Sequence, residues 1–205
     1  GVTNVRDIGG YKSSLVTNGR IRQGLYLRGA NLNKITENGK NELLRLGVRT
    51  EIDLRDEYMC KGPYVDGIDY YAIPIPSRTE EIRFEQFENE YKQIFNLILN
   101  ADKSPVYLHC SVGADRTGIV TFILLIVCGV SFDDAARDYL FTNFSTCGAR
   151  YLESEFQHWW EKLDLFEGES KSEKAKSWLV SKGLTELQVE HIREIFVESY
   201  KVKSC

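Results

Sequence analysis

The chain has 205 residues, 42% hydrophobic and 27% charged, with a formal net charge of −4 at pH 7, which suits one soluble domain with a substantial core. No long basic run supports nucleic-acid binding, and the longest apolar stretch, 118–130, is short of the ~20 residues a membrane span needs. Five scattered cysteines (Cys60, Cys110, Cys128, Cys147, Cys205) without a Cys-x-x-Cys pair argue against a disulfide framework and a structural zinc site.

Residues 1–20 read as loop, because Asn4, Gly9, Gly10, Asn18 and Gly19 are turn formers. Arg6-Asp7 stands out there, on composition alone a surface ion pair or turn. Ile21 to Arg28 alternates with a strand period. Thr36 is placed to cap a short helix carrying Leu43, Leu44 and Leu46, which Gly47 closes. Val48 to Leu54 reads as a second strand. It ends on Asp53-Leu54-Arg55-Asp56, at the carboxyl end of a strand, where α/β sheets build their sites. Asp53 and Arg55 are therefore expected to brace a functional loop, whereas Asp56 and Glu57 read as a solvated strand end.

Ile68 to Ile75 predicts a third strand, broken by Pro74 and Pro76. Between Thr79 and Asn100, apolar residues from Phe87 to Leu99 recur with helical spacing, which predicts an amphipathic helix with one face on the core. Arg78, just before it, reads as a solvated arginine or a substrate contact. Lys103-Ser104-Pro105 turns into a strand, Pro105 to Leu108, and Ile119 to Val127 reads as a buried helix that Gly129 closes. Ser131 can cap a further helix, Phe132 to Phe144.

Residues 145–183 hold Trp159, Trp160, Trp178, His158 and a charged linker, and are helical by composition. They form either a lid over a pocket or a helical pair closing the fold. Thr185 caps a last helix with Leu187, Ile192, Ile195 and Phe196 inward, and His191 reads as structural or surface. The alternation of strands and helices predicts an α/β fold, a central mostly parallel sheet with helices on both faces and a helical C-terminal region, in a single domain over 1–205.

Chemistry concentrates in His109-Cys110-Ser111-Val112-Gly113-Ala114-Asp115-Arg116-Thr117-Gly118. A cysteine ends a strand, a glycine-containing loop turns, and an arginine opens a helix. Such a loop gathers unpaired backbone N–H groups into one bowl, and the helix dipole adds positive potential. The bowl suits a tetrahedral oxyanion held by the N–H groups of Ser111, Val112, Gly113, Ala114, Asp115 and Arg116. The Arg116 fork can grip two of its oxygens. Cys110 at the bottom would favour thiolate and attack phosphorus. Asp115, beside a dianion that favours its protonated form, is the best candidate acid for the leaving group, with Asp53 and Asp56 as runners-up. Thr117 would place a hydroxyl near the sulfur, and His109 would orient the loop by hydrogen bonding. No metal and no cofactor is called for, because the phosphate charge is met by Arg116 and the N–H groups.

Cys-x5-Arg followed by Thr and preceded by His resembles the signature of the cysteine-dependent protein tyrosine phosphatase superfamily. The form His-Cys-x-x-Gly-x-Asp-Arg-Thr-Gly resembles its bacterial tyrosine and dual-specificity branch. Asn4-Val5-Arg6-Asp7-Ile8-Gly9-Gly10-Tyr11, Leu25-Tyr26-Leu27-Arg28-Gly29-Ala30 and Ile52-Asp53-Leu54-Arg55 agree with that branch in order. The resemblance implies a phosphotyrosine-phosphatase-like fold, with the Arg6-Asp7 segment packed beside the phosphate loop. The wider superfamily often carries an acid on a loop near Ile73-Pro74-Ile75-Pro76-Ser77-Arg78. No carboxylate stands there in this chain, which moves attention to Asp115.

The expected activity is phosphate monoester hydrolysis through a phosphocysteine, on phosphotyrosine and with reach to phosphoserine and phosphothreonine. The expected partner is a phosphorylated protein or another phosphate monoester, with no nucleic acid and no integral membrane segment. Two alternatives stay open. One is a phosphoinositide or inositol-polyphosphate phosphatase, a reading weakened because such relatives tend to carry lysine where this chain has Ala114. The other is a non-catalytic phosphate-binding module. No signal peptide shows at Gly1, and cytoplasmic and secreted locations both stay open.

Overall fold

A computed structural model of the chain describes residues 1–76, 84–145 and 148–200. Arg78, the start of the helix expected from Thr79, Cys147 and Cys205 lie outside them. The eight strands are β1 (Arg6–Asp7), β2 (Lys12–Ser13), β3 (Gly19–Ile21), β4 (Tyr26–Gly29), β5 (Thr50–Asp53), β6 (Asp69–Ala72), β7 (Val106–His109) and β8 (Val197–Ser199). The seven α-helices among the described residues are α1 (Glu37–Arg45), α2 (Glu88–Leu99), α3 (Asp115–Val127), α4 (Phe132–Leu140), α5 (Gln157–Lys162), α6 (Lys171–Ser181) and α7 (Glu186–Phe196).

Five strands form the central sheet in the order β1-β4-β7-β5-β6, all neighbours parallel except β1 against β4. β7 lies in the middle because Val106-Tyr107-Leu108 offers apolar side chains to both faces, as a strand covered on two sides requires. Val106 and Leu108 join the large core with α2, α3, α6 and α7, while Tyr107 turns to a smaller cluster with Leu27, Leu43 and Val48 under α1. The register aligns Gly29, His109 and Asp53 across β4, β7 and β5. Three strands thus deliver their carboxyl ends to one place.

α3 is buried from Arg116 to Val127 and forms the axis of the core. Phe156, Trp159, Leu163, Trp178 and Leu179 bury their side chains fully in that same core, so the stretch after residue 150 walls the molecule rather than standing over it. Thr36, Ser131 and Thr185 cap α1, α4 and α7, and Thr185 with Gln188 completes a capping box.

Several expectations change. Residues 1–20 are not all loop: they supply β1, β2 and the start of β3, strands too short to show a period. The strand expected over 21–28 is two strands in two sheets, parted at Gly24 with φ +77°, since alternation does not tell a strand its partner. The helix expected from 79 to 100 runs as α2 only from Glu88, because Phe87 sits at φ +66° and stops the turn before it. Beyond Leu140 the helix expected to reach Phe144 tightens to a 3₁₀ turn.

Candidate active site

The loop from Cys110 to Ala114 joins β7 to α3, and its conformation follows from who holds its carbonyls. His109 Nδ1 faces the Cys110 carbonyl at 3.2 Å. Asn31 Nδ2 donates to the Ser111 carbonyl at 2.7 Å. Asn4 Nδ2 donates to Val112 and Gly113 at 2.9 and 3.1 Å. Arg28 Nη2 donates to Gly113 and Ala114 at 2.8 and 3.3 Å. Every carbonyl of the loop is thus engaged by a side chain. No backbone N–H from Ser111 to Arg116 donates a hydrogen bond among the described residues. α3 starts with no capping side chain on its first N–H groups. Unspent donors at a helix N-terminus are what an oxyanion binds.

Gly113 makes the turn, at φ +70°, and a Cβ there would stand 2.2 Å from the Gly29 carbonyl oxygen. Only glycine allows the loop to press so closely on the end of β4.

Arg116 lies with its guanidinium across the mouth of the loop. Nη2 donates to Ser111 Oγ at 3.0 Å, and Nη1 reaches Asp56 Oδ2 at 3.2 Å and the Leu54 and Ile75 carbonyls at 3.4 and 3.3 Å. Asp56, read from sequence as a solvated strand end, therefore touches the site. Thr117 is fully buried and its Oγ1 has no partner among the described residues; no hydrogen bond to Cys110 is formed. Cys110 is 2% exposed. Cys128 is no rival nucleophile, since burial pushes its thiol up to about 12. Burial likewise raises the Cys60 thiol.

His109 is held behind the loop, its Nε2 2.9 Å from Glu51 Oε1 and its Nδ1 3.7 Å from Asp53 Oδ1. Asp53 and Arg55 form a buried fork at the strand end with Nη2–Oδ2 at 2.7 Å, extended by Tyr64, Tyr70 and Asn33. Burial pushes the Asp53 carboxyl up, but Arg55 and His109 outweigh it and hold it below the usual range. A carboxylate sealed in this way cannot reach a leaving group, so Asp53 drops out as a runner-up acid.

Asp115, at the first position of α3, is gripped on both oxygens by Arg150, with Nε–Oδ1 at 2.7 Å and Nη2–Oδ2 at 3.0 Å. Arg6 and Arg28 share Asp138 of α4, Arg6 at 2.8 Å and Arg28 at 2.5 Å, and Arg6 also donates to Asn4 Oδ1 at 2.6 Å. Arg6 is therefore half of a buried pair, not a surface one. Asp7 instead accepts from the Gly9 and Gly24 amides, away from the loop.

Asn31, Glu51, Asp138 and Arg150 carry no motif of their own; only Asn4 and Arg28 fall within runs that the sequence singles out. Among the described residues, no three His, Cys, Asp or Glu side chains are arranged to hold a metal ion, and no helix is long and apolar enough to cross a membrane.

A model of a tyrosine phosphatase family matches residues 1–200. A tyrosine-protein phosphatase of Nostoc commune is 27% identical over 154 residues, which cover 63% of this chain and 50% of that protein. The chain thus spans about half the length of this relative. The triple specificity protein phosphatase PtpB of Mycobacterium tuberculosis is 27% identical over 204 residues, covering 76% of this chain and 72% of its own. Among solved structures, the core catalytic domain of the PP-IP phosphatase SIW14 from S. cerevisiae has a TM-score of 0.51 at 16% identity, over 76% of this chain and 84% of that one. At that identity the likeness speaks to the fold alone.

Proposed function

Because the chain belongs to the tyrosine phosphatase family, we propose that it hydrolyses phosphate monoesters through a phosphocysteine on Cys110, with phosphotyrosine in proteins as the main substrate and phosphoserine or phosphothreonine as further ones. One observation carries this reading: all the loop carbonyls from Cys110 to Ala114 are drawn aside by side chains, while the N–H groups from Ser111 to Arg116 stay unspent. A set of main-chain donors that no described residue uses suits an anion, and it lies where Cys110 follows β7.

In the first step Cys110 Sγ bonds to phosphorus as the ester P–O bond breaks, and Asp115 supplies the proton that the leaving oxygen takes. In the second, Asp115 accepts a proton from water, whose oxygen displaces the sulfur and releases phosphate. Arg116 and the loop amides hold the three equatorial oxygens throughout, which is most of what phosphoryl transfer asks of a protein. The unspent Thr117 hydroxyl supports the sulfur as it leaves. His109, Asp53 and Arg55 act from behind, fixing the loop and the strand end. We read residues 1–200 as one catalytic domain. The triple specificity named for the Mycobacterium tuberculosis relative supports a reach beyond phosphotyrosine.

The test is hydrolysis of an activated aryl phosphate and of phosphotyrosine, phosphoserine and phosphothreonine peptides, with phosphoinositides alongside. Cys110→Ser is expected to abolish turnover of all of them. Asp115→Asn is expected to slow phosphotyrosine peptides by roughly 10²–10⁴ while sparing the activated ester, whose leaving group needs no proton. Turnover that survives Cys110→Ser, or binding of phosphopeptides with no turnover by the native protein, would refute the enzyme.

A further inference from the structure

Among the described residues, the most exposed large apolar side chain is Phe144, at 88%. Its ring centroid lies 6.1 Å from that of Phe141, and Val5 borders the same groove as both; Phe141 and Val5 are exposed as well. Single apolar residues on a surface need no explanation, but a contiguous patch marks a place where something binds. The ridge is built rather than frayed. Phe141–Phe144 form a 3₁₀ turn after α4, and Ser145 donates to the Thr142 carbonyl through both its N–H and its Oγ, at 3.0 and 2.6 Å. Asn143 exchanges two hydrogen bonds with the backbone of Arg150, at 2.6 and 2.9 Å.

The turn is tied to the candidate active site at two points. Asn4 Nδ2, which donates to the Val112 and Gly113 carbonyls, also lies 3.4 Å from Thr142 Oγ1. Arg150, fastened to Asn143, sets its guanidinium on Asp115 at 2.7 and 3.0 Å. Phe144 follows Asn143 in the chain, so the ridge borders the loop. A groove runs along each of its flanks. One, of about 410 Å³, separates it from residues 3–6 and so reaches Asn4. The other, of about 340 Å³, separates it from Phe132, Leu140 and Leu152. Both volumes lie at the low end of the ~300–1,000 Å³ of ligand sites, which suits the side chains of a short segment. The arginines that line the grooves are already paired, Arg6 with Asp138 and Arg137 with Asp134. What the grooves offer is apolar contact, with the Asp133 carboxylate on one of them.

We propose that the Phe141–Phe144 ridge is the docking surface for the polypeptide that carries the phosphoryl group, and that its grooves take an apolar side chain close in sequence to the phosphotyrosine. The proposal rests on the reading of the loop as a phosphotyrosine site. A peptide whose phosphorylated residue enters the loop has to run over the adjoining surface, and apolar anchors in pockets beside the reacting residue are what give such a segment its specificity. The ridge is continuous with the loop through Asn4 and Arg150, which favours the substrate itself over a second copy of this chain or a membrane.

The experiment compares the native protein, Phe144→Ser and Phe141→Ser/Phe144→Ser on p-nitrophenyl phosphate and on a panel of phosphotyrosine peptides. In the panel, each of the three positions on either side of the phosphotyrosine is leucine or serine. The native protein is expected to favour leucine at one or more positions by about tenfold in kcat/KM, through KM. Phe144→Ser is expected to lose about that factor on the leucine peptides and to level the panel, and the double variant to lose no less. The aryl phosphate, which has no chain to lay on the ridge, is expected to lose far less. A native panel that is flat while the aryl phosphate and the peptides turn over would overturn the proposal and leave the phosphatase standing. So would an equal loss on aryl phosphate and peptides in Phe144→Ser, since the ridge would then only prop the loop. Self-association in sedimentation equilibrium, or binding to phosphatidylcholine–phosphatidylserine vesicles, that Phe144→Ser removes while the leucine preference stays intact would also overturn it. No turnover of any substrate by the native protein would refute the phosphatase reading and the proposal with it.

Discussion

At Gly113 a single missing Cβ decides whether the loop after β7 can close on the end of β4. The residue sits at φ +70°, and a methyl group there would meet the Gly29 carbonyl oxygen at 2.2 Å, backbone that cannot step aside. Left-handed backbone at a non-glycine residue costs about 1–3 kcal/mol, and the overlap adds to it. Gly113→Ala is therefore expected to destabilise the protein by at least that amount in urea denaturation. It should also cut kcat/KM on an aryl phosphate far more than the stability loss explains, because the loop amides no longer converge. An alanine variant with native kinetics would mean that the loop is not the site. Gly29 answers from the other side: a Cβ there would meet the Tyr107 hydroxyl at 2.2 Å, so β4 and the loop approach each other through two glycines.

Between elements, the loop from Cys110 to Ala114 is supported by an ionic bridge that joins β1, β4 and α4. Asp138 is 1% exposed and takes Arg6 on one oxygen and Arg28 on the other, and Arg28 passes the constraint to the Gly113 and Ala114 carbonyls. Burial pushes the Asp138 carboxyl up, but the two guanidiniums outweigh it and hold it below the usual range. A carboxyl depressed on folding adds stability that is complete above its unfolded value of about 3.9. That stability is lost as pH falls through the lower folded value. Asp138→Asn leaves two sheltered guanidiniums without their counter-charge, and breaking such a pair costs about 3–5 kcal/mol. The variant is expected to show that loss in urea at neutral pH and a smaller gap from the native protein once the pH falls below about 3.9, where the carboxyl of the unfolded chain takes up its proton. A gap that is the same at both pH values would mean that the pair contributes nothing through charge.

For the molecule as a whole, the C-terminal region is fastened to α3, the helix that follows the loop after β7. Trp159 of α5 is fully buried among Phe122, Tyr139 and Phe156, and its ring passes so close to Gly118 that a Cβ there would stand 3.2 Å from it. Trp159→Ala removes that packing and leaves a cavity, at a cost of about 3–5 kcal/mol. In a chain of this size that corresponds to a fall of roughly 10 °C in Tm, readable by calorimetry. Turnover at low temperature should persist, since the indole packs on Gly118 within α3 and on the rings of Phe122, Tyr139 and Phe156. Loss of turnover with Tm unchanged would mean that the region acts on the site and not on the core.

Read residue by residue, the sequence by itself determined where the candidate site lies along the chain, because the loop is local: one run of ten residues carries the cysteine, the arginine, the glycine at positive φ and the start of the helix. It also determined the parallel α/β layout, since fully apolar runs such as Val106 to Leu108 have to be covered on two faces. It could not determine which strands neighbour β7, nor that the run over 21–28 divides between two sheets, because hydrophobic period is blind to partners. Still less could it determine what holds the loop. Asn31, Glu51, Asp138 and Arg150 stand 80, 58, 110 and 35 positions from the residues they serve, and only the folded chain brings such charges and amides within hydrogen-bond reach.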